Sequence, residues 1–391
     1  MNTIHTFQHT VPVTIRPVAR PGISALALAL ALLVTTSVFA QTDKDTVRWD
    51  DRAGQWVYTL FNPADLSRYQ DVRYTPRTLI EPLVKSSVRW DKDRFEYRYR
   101  ITNGASARQP ISSVSVQAPK WDAEAIKHAP LRPGMTGPEI QVVSRTQTAL
   151  EDAFVAQTVY SPNRWNSFLN VNRPTRVVFG WLVDYEKGYA GIAPRTAQGG
   201  FSVLRTELPG AAWMELQGDT PDLYNAPTLP RSGAVADHAA QVLSEDLVYV
   251  AVLAPAIVVP NPYDGAELAR RIKAHVVTWV DSGLIDANRL AILSPLFDAL
   301  ASAATANDKK AAKAASIAIM TEAFKHHPGM TQSNIDDDSD EQDSKAEKRK
   351  IITAQGALAD VDEPASPLHR VAARALVFDL TYLLTRMEAA R

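Results

Sequence analysis

The apolar period of the chain changes once, between Leu247 and Asp264, from two residues to about 3.6. Arg94 to Thr102 sets the first period. Phe95, Tyr97, Tyr99 and Ile101 fall on one side and Arg94, Glu96, Arg98 and Arg100 on the other. Successive strand residues point to opposite faces, so this is a strand with one buried face. Asp91-Lys92-Asp93 marks the turn before it, after a strand carrying Val84, Val88 and Trp90, and Asn103-Gly104 signals the turn after it. Ile111, Val114 and Val116 resume the pattern. Arg176 to Tyr185, Phe201 to Leu208 and Ala212 to Leu216 read as further strands, the last two separated by Pro209-Gly210. Short strands punctuated by Gly, Pro and Asn predict an all-β, Ig-like sandwich over residues 41–225. The proline-bearing stretch from Asp122 to Arg145 reads as a long irregular connection.

Leu247 to Val259 is strongly apolar, short for a membrane span, and interrupted by Pro255. It reads as the buried, extended part of a linker over residues 226–262. Helical spacing follows. Asp264 with Glu267 makes a capping box, Leu268, Ile272, Val276 and Val280 recur every four residues, and Gly283 ends the helix. Ser294-Pro295 reads as the start of a second helix whose core face holds Leu296, Phe297, Leu300 and Ala304. Asp308 opens a third, through Ala315, Ile319 and Ala323 to His326-His327. Ser366-Pro367 opens a fourth, with Leu368, Val371, Ala375, Phe378 and Tyr382 as its apolar stripe. Residues 263–391 therefore predict an all-α helical bundle. A charged stretch at about 331–364 interrupts it. Asp336 to Asp343 holds six acidic residues in eight, and Lys345 to Lys350 holds four basic ones, a composition that predicts a disordered insertion.

Residues 1–40 have the form of a secretory signal peptide. Arg16 and Arg20 precede the apolar run Ile23 to Val34, no acidic residue occurs before Asp43, and Val38 with Ala40 suits cleavage before Gln41. The alternative, an uncleaved anchor helix, needs a longer run. No twin-arginine pair precedes the run, so the Sec route is expected, with a periplasmic or extracellular destination. The chain has no cysteine, so its 391 residues must be held by a core rather than by disulfides. Thiolate catalysis and cysteine-based metal sites are excluded. A formal net charge of -1 gives no overall field for nucleic acid.

Two local patterns resemble known proteins. Tyr97-Arg98-Tyr99-Arg100-Ile101-Thr102-Asn103 with Pro110-Ile111, and Gly200-Phe201-Ser202-Val203 with Leu208-Pro209-Gly210, resemble exported bacterial β-sandwich proteins. Gly283-Leu284-Ile285-Asp286 through Leu300-Ala301, with Ala315 to Phe324, resembles the FIMAH family, small helical bundles at the ends of secreted bacterial proteins. That resemblance implies attachment or interaction and brings no catalytic residues.

The chemical motifs are mostly absent. The mature chain has no Gly-x-Ser-x-Gly elbow, no Ser-x-x-Lys, no His-Glu-x-x-His and no glycine-rich phosphate loop. No cofactor is expected. His326-His327 suits the negative end of a helix dipole better than a metal. Asp336, Asp338, Asp340 and Glu347 have the spacing of a calcium loop, but Glu341 stands where the sharp turn requires glycine. The Arg94, Arg98, Arg100 row reads as a solvated strand face with Glu96 interleaved. Loops of a rigid scaffold are where binding residues gather. Ala129 to Ile140 is one such candidate. The better one is Tyr160 to Asn172, where Tyr160, Trp165 and Phe168 stand among Ser and Asn as candidate anchors. The expectation is a non-catalytic binding, attachment or envelope-interaction module without a transmembrane span in the mature chain. Its partner would be an envelope polysaccharide or protein. The alternative is an extracytoplasmic hydrolase whose site is built from dispersed residues.

Overall fold

A computed structural model describes residues 45–61, 69–92, 94–119, 155–170, 176–188, 190–219, 233–325, 327 and 366–389. The signal segment, the stretch 122–145 and the charged insertion lie outside the described residues. So do the calcium candidates Asp336, Asp338, Asp340 and Glu347.

Antiparallel sheets dominate the first part and helices the second. β1 (Thr46–Asp50), β2 (Gln55–Phe61) and β3 (Tyr69–Tyr74) form a small sheet in that order. A four-stranded sheet has the order β4 (Pro82–Asp91), β5 (Arg94–Asn103), β10 (Thr196–Arg205), β7 (Val159–Tyr160). A five-stranded sheet has the order β12 (Val248–Ile257), β11 (Leu208–Gly218), β6 (Ile111–Pro119), β9 (Arg176–Val183), β8 (Trp165–Asn170). Helix α1 (Ala234–Glu245) precedes β12. Helices α2 (Gly265–Asp281), α3 (Ala287–Thr305), α4 (Lys309–Phe324) and α5 (Arg370–Ala389) follow it.

The alternation of Arg94 to Thr102 is realised in β5, where Phe95, Tyr97, Tyr99 and Ile101 are buried and Arg94, Arg98 and Arg100 are exposed. Arg98 pairs with Glu96 at 2.8 Å on that outer face. Lys92, at the β4–β5 turn, adopts a left-handed φ of 58°. The two larger sheets meet through aromatic rings. Trp165 and Trp181 of the five-stranded sheet lie 4.9 and 5.6 Å from Phe201 of the other, and Tyr99 lies 5.9 Å from Trp181. Asn103, read as part of a turn, is wholly buried. Its side chain accepts from the Glu81 amide at 3.0 Å and donates to the carbonyls of Gln109 and Ile192 at 2.9 and 3.0 Å.

Several expectations are corrected. Pro209-Gly210 does not separate two strands; it lies inside β11, and the turn is at Thr206-Glu207. β6 pairs only with Met214 to Gly218, so at Pro209 β11 has β12 as a neighbour and not β6, and the ladder slips there. A proline without an amide is tolerated at such a place. The expected linker 226–262 contains α1 and β12. β12 pairs with β11 along nearly its whole length, and Val252, Leu253 and Ala254 have no exposed surface. Its other edge is capped by side chains: the Leu253 amide donates to Ser86 Oγ at 3.1 Å, and the Leu253 carbonyl accepts from the Tyr99 hydroxyl at 3.0 Å.

The helices begin mostly where acidic caps stand. Asp264 accepts from the amides of Ala266 and Glu267, Asp286 from that of Arg289 and Asp308 from that of Ala311. Ser294-Pro295 is not a start; α3 begins at the Asp286 cap and runs through Pro295, with Leu293, Phe297 and Leu300 buried around it. Ser366-Pro367 is not a cap either. Residues 367–369 pair with the 284–286 segment, and α5 starts when the Val371 amide donates to His369 Nδ1 at 3.1 Å. His327 is buried and its Nε2 contacts the Leu368 carbonyl at 2.8 Å, which ties the end of α4 to the approach of α5.

α5 is not a one-sided amphipathic helix. Ten consecutive residues, Val371 to Leu380, are buried. A helix buried on all sides belongs to the core. It packs on β11, β12, α2 and α4, and its Phe378 and Tyr382 reach Phe95 and Trp90 of the four-stranded sheet, Tyr382 lying 4.7 Å from Trp90. One apolar cluster therefore runs from Ile80 through both larger sheets and the helices to Met387, across the boundary expected near residue 262. A second, small cluster sits between β2, β3 and α1: Tyr58, Leu60, Tyr74, Val235 and Ala239.

Candidate functional site

The segment expected as a binding loop is mostly strand. Tyr160 belongs to β7, and Trp165 and Phe168 belong to β8, whose exposure alternates. Trp165 falls on the inner side, 5% exposed against Phe201, so it is a core residue and not a surface anchor. The Ser and Asn residues that gave the segment a loop-like composition lie mainly on the outward side of β8. Tyr160 is 47% exposed, on the edge of the other sheet, and its carbonyl accepts from Trp181 Nε1 at 3.0 Å. Phe168 stands on the outer face of the five-stranded sheet, 37% exposed. The three candidates thus do not share a surface.

The outer face that carries Phe168 has its own composition. Cross-strand partners place Phe168, Gly180, Ser115, Glu215 and Tyr249 in one row across all five strands. Gly180 is required there: an added Cβ would stand 2.1 Å from Phe168 Cζ, so the glycine lets the ring reach across β9. Ser115 Oγ donates to Glu215 Oε2 at 3.2 Å, and Gln117 Nε2 donates to Glu215 Oε1. Tyr249, half exposed, closes the row at the far strand. Four strand spacings separate the two aromatic residues, about 19 Å. The neighbouring row adds Asn166, Leu182, Ser113 and Gln217, and Leu182 is 43% exposed. Glu215 is the only charged residue in these two rows. The surface can stack against flat apolar faces at its ends and exchange hydrogen bonds between them. Tyr249 was hidden from sequence reasoning inside the apolar run Leu247 to Val259. Its place opposite Glu215 depends on a pairing that no local pattern announces.

The small sheet gathers titratable groups of another kind. Tyr58 contacts His238 Nδ1 at 3.1 Å, and the Trp56 ring stands 4.4 Å from the imidazole. Burial pushes the Tyr58 hydroxyl up to about 12. Burial, and then the hydrogen bond to Asp246, raises Tyr74 further. Both phenols stay protonated at neutral pH. The Asp246 carboxylate also accepts from the amides of Arg77 and Thr78 at 2.7 and 2.8 Å, so it pins the chain as it leaves β3. These contacts hold a structure together and offer no activated nucleophile.

Among the described residues, no group of three or more His, Cys, Asp or Glu side chains is placed to hold a metal ion. None of the described helices is long and apolar enough to cross a membrane. Compared with family models, with curated proteins and with solved structures, the chain has no match in any of the three.

Proposed function

We propose that this chain is an exported, non-catalytic binding module that holds envelope material on the outer face of its five-stranded sheet. In this reading residues 1–40 direct export, the two larger sheets form an Ig-like sandwich, and the helices form the bundle behind it. The resemblance to exported bacterial β-sandwich proteins and to the FIMAH family supports the same role. The observation that carries the reading is the row from Phe168 to Tyr249. It has aromatic rings at both ends, hydroxyl and carboxylate oxygens between them, and a glycine that lets one ring lie across the sheet. Two rows with a single carboxylate, already engaged by Ser115 and Gln117, suit an uncharged polyhydroxyl chain better than an anionic polymer.

Calorimetry of residues 41–391 with purified envelope polysaccharide tests it. Binding is expected, weakened at least tenfold by Phe168→Ala and by Tyr249→Ala with little change in melting temperature. Unchanged affinity in both variants, or no binding by the parent chain, refutes the assignment.

A further inference from the structure

The most deeply buried acid of the described chain has no partner. Asp379 lies on α5 with 0% of its surface exposed, and among the described residues neither carboxyl oxygen has a hydrogen-bond partner. Elsewhere in the interior a buried carboxylate is matched: Glu207 pairs with Arg205 at 3.2 Å, both nearly inaccessible. A carboxylate without water or a cation is strongly disfavoured, and such a group answers by keeping its proton. Burial holds the Asp379 carboxyl well above the usual carboxylate range.

The surroundings offer it no compensation. Arg374, five residues earlier on α5, donates to the Ser86 carbonyl at 2.6 Å. Arg386, further along, bonds the Tyr382 hydroxyl and covers the Tyr263 ring. From the four-stranded sheet the titratable neighbour is Tyr97, whose hydroxyl donates to the Glu207 carbonyl at 2.5 Å and which Glu207 and Arg205 also influence. The buried residues of α4 are Ala312, Ser316, Ile319, Met320 and Ala323, none of them titratable. Those of β11 and β12 are apolar or glycine. α2 contributes the half-buried His275, and His327 and His369 stand near the start of α5.

We infer that α5 is latched by a proton: the helix docks with Asp379 as a neutral carboxylic acid, and loss of that proton releases it. The direction follows from linkage. When α5 is out of the core, Asp379 regains an ordinary carboxyl that ionises near pH 4, as in a model peptide, about 3.9. Docking is thus strongest below that pH. It weakens as pH rises, until the raised value of the docked acid is reached. Release uncovers Trp90 and Phe95, the residues that Tyr382 and Phe378 touch, so the state of one carboxyl governs whether an apolar surface faces water.

Hydrogen exchange on the full chain tests the latch. Protection factors for residues 370–389 are measured at pH 6.5, 7.5 and 8.5, in the parent and in Asp379→Asn. In the parent, protection should fall by up to about tenfold per pH unit; in Asp379→Asn, which keeps all three histidines, it should be flat. A flat parent profile, or an equal slope in the variant, overturns the inference. Should the variant fail to fold, a carbon-13 titration of the parent decides. An Asp379 carboxyl still protonated at pH 6.5 supports the latch, and one that ionises near pH 4 refutes it.

Discussion

His275 predicts an acid weakness that can be worked from the structure. It lies on α2 with its ring against Gly210 of β11; a Cβ at that glycine would stand 2.0 Å from the imidazole Nε2. The Trp279 indole donates to the same nitrogen at 3.2 Å. That bond needs a lone pair on Nε2, so it requires the neutral ring with its proton on Nδ1. Burial lowers the His275 pKa from 6.5 to about 4. The folded state therefore resists a proton that the unfolded chain accepts. The contribution to stability is complete above pH 6.5 and is lost as pH falls from 6.5 towards 4. A shift of this size corresponds to about 3 kcal/mol, and to nearer 2 because the ring keeps part of its surface in water. Asp379 titrates with the opposite sign, so the measurement must be a difference. Urea unfolding of the parent and of His275→Gln, from pH 4 to 8, should give curves separated by a constant amount above pH 7. That separation should shrink, or reverse, by about 2 kcal/mol by pH 4. A separation that stays constant down to pH 4 would show that the imidazole is freely protonated in the fold, and the reasoning from its burial would fail.

Two further outcomes concern packing. Trp165→Ala removes a ring enclosed beside Phe201 and should cost about 3–5 kcal/mol by urea unfolding, whereas Phe168→Ala, three residues on and facing outward, should cost under about 1 kcal/mol; equal losses would refute the inside–outside assignment of β8. Residues 41–262 expressed alone should aggregate or melt without cooperativity, because the cut strips α5 from β11, β12, Trp90 and Phe95; a soluble fragment with a sharp thermal transition would show that the sheets need no helical cover.

What could be read beforehand followed the strength of local patterns. β5 was legible because its alternation runs without a break and one of its faces is buried. The caps Asp264 and Asp308 were legible because a capping side chain acts within three residues. β8 was not, since serine and asparagine on a solvent-facing strand side have the composition of a loop. The central place of α5 was hidden by Arg374 and Asp379, which mimic a polar face while lying in the interior. β12 looked like a connector because its apolar run fits a buried segment of any kind. Only its partner β11 makes it a strand, and that partnership lies outside local sequence. Of the row on the five-stranded sheet the sequence singles out Phe168; Trp165 falls on the inner side, Tyr160 stands on the other sheet, and Tyr249 requires the sheet order.

The treatment of β12 bears on how such a chain survives at high concentration. Val-Tyr-Val-Ala-Val-Leu-Ala within it has the β-propensity and low charge of segments that stack into fibrils. An outermost strand with open amides and carbonyls would invite the same strand of another molecule to add on. Here Ser86 and Tyr99 occupy both backbone groups of Leu253, at the middle of that edge. Leu253 has no exposed surface there and β12 lies against β4 and β5, so the two side chains close that edge from inside the core, and Ser86→Ala with Tyr99→Phe would leave a buried amide and a buried carbonyl unpaired.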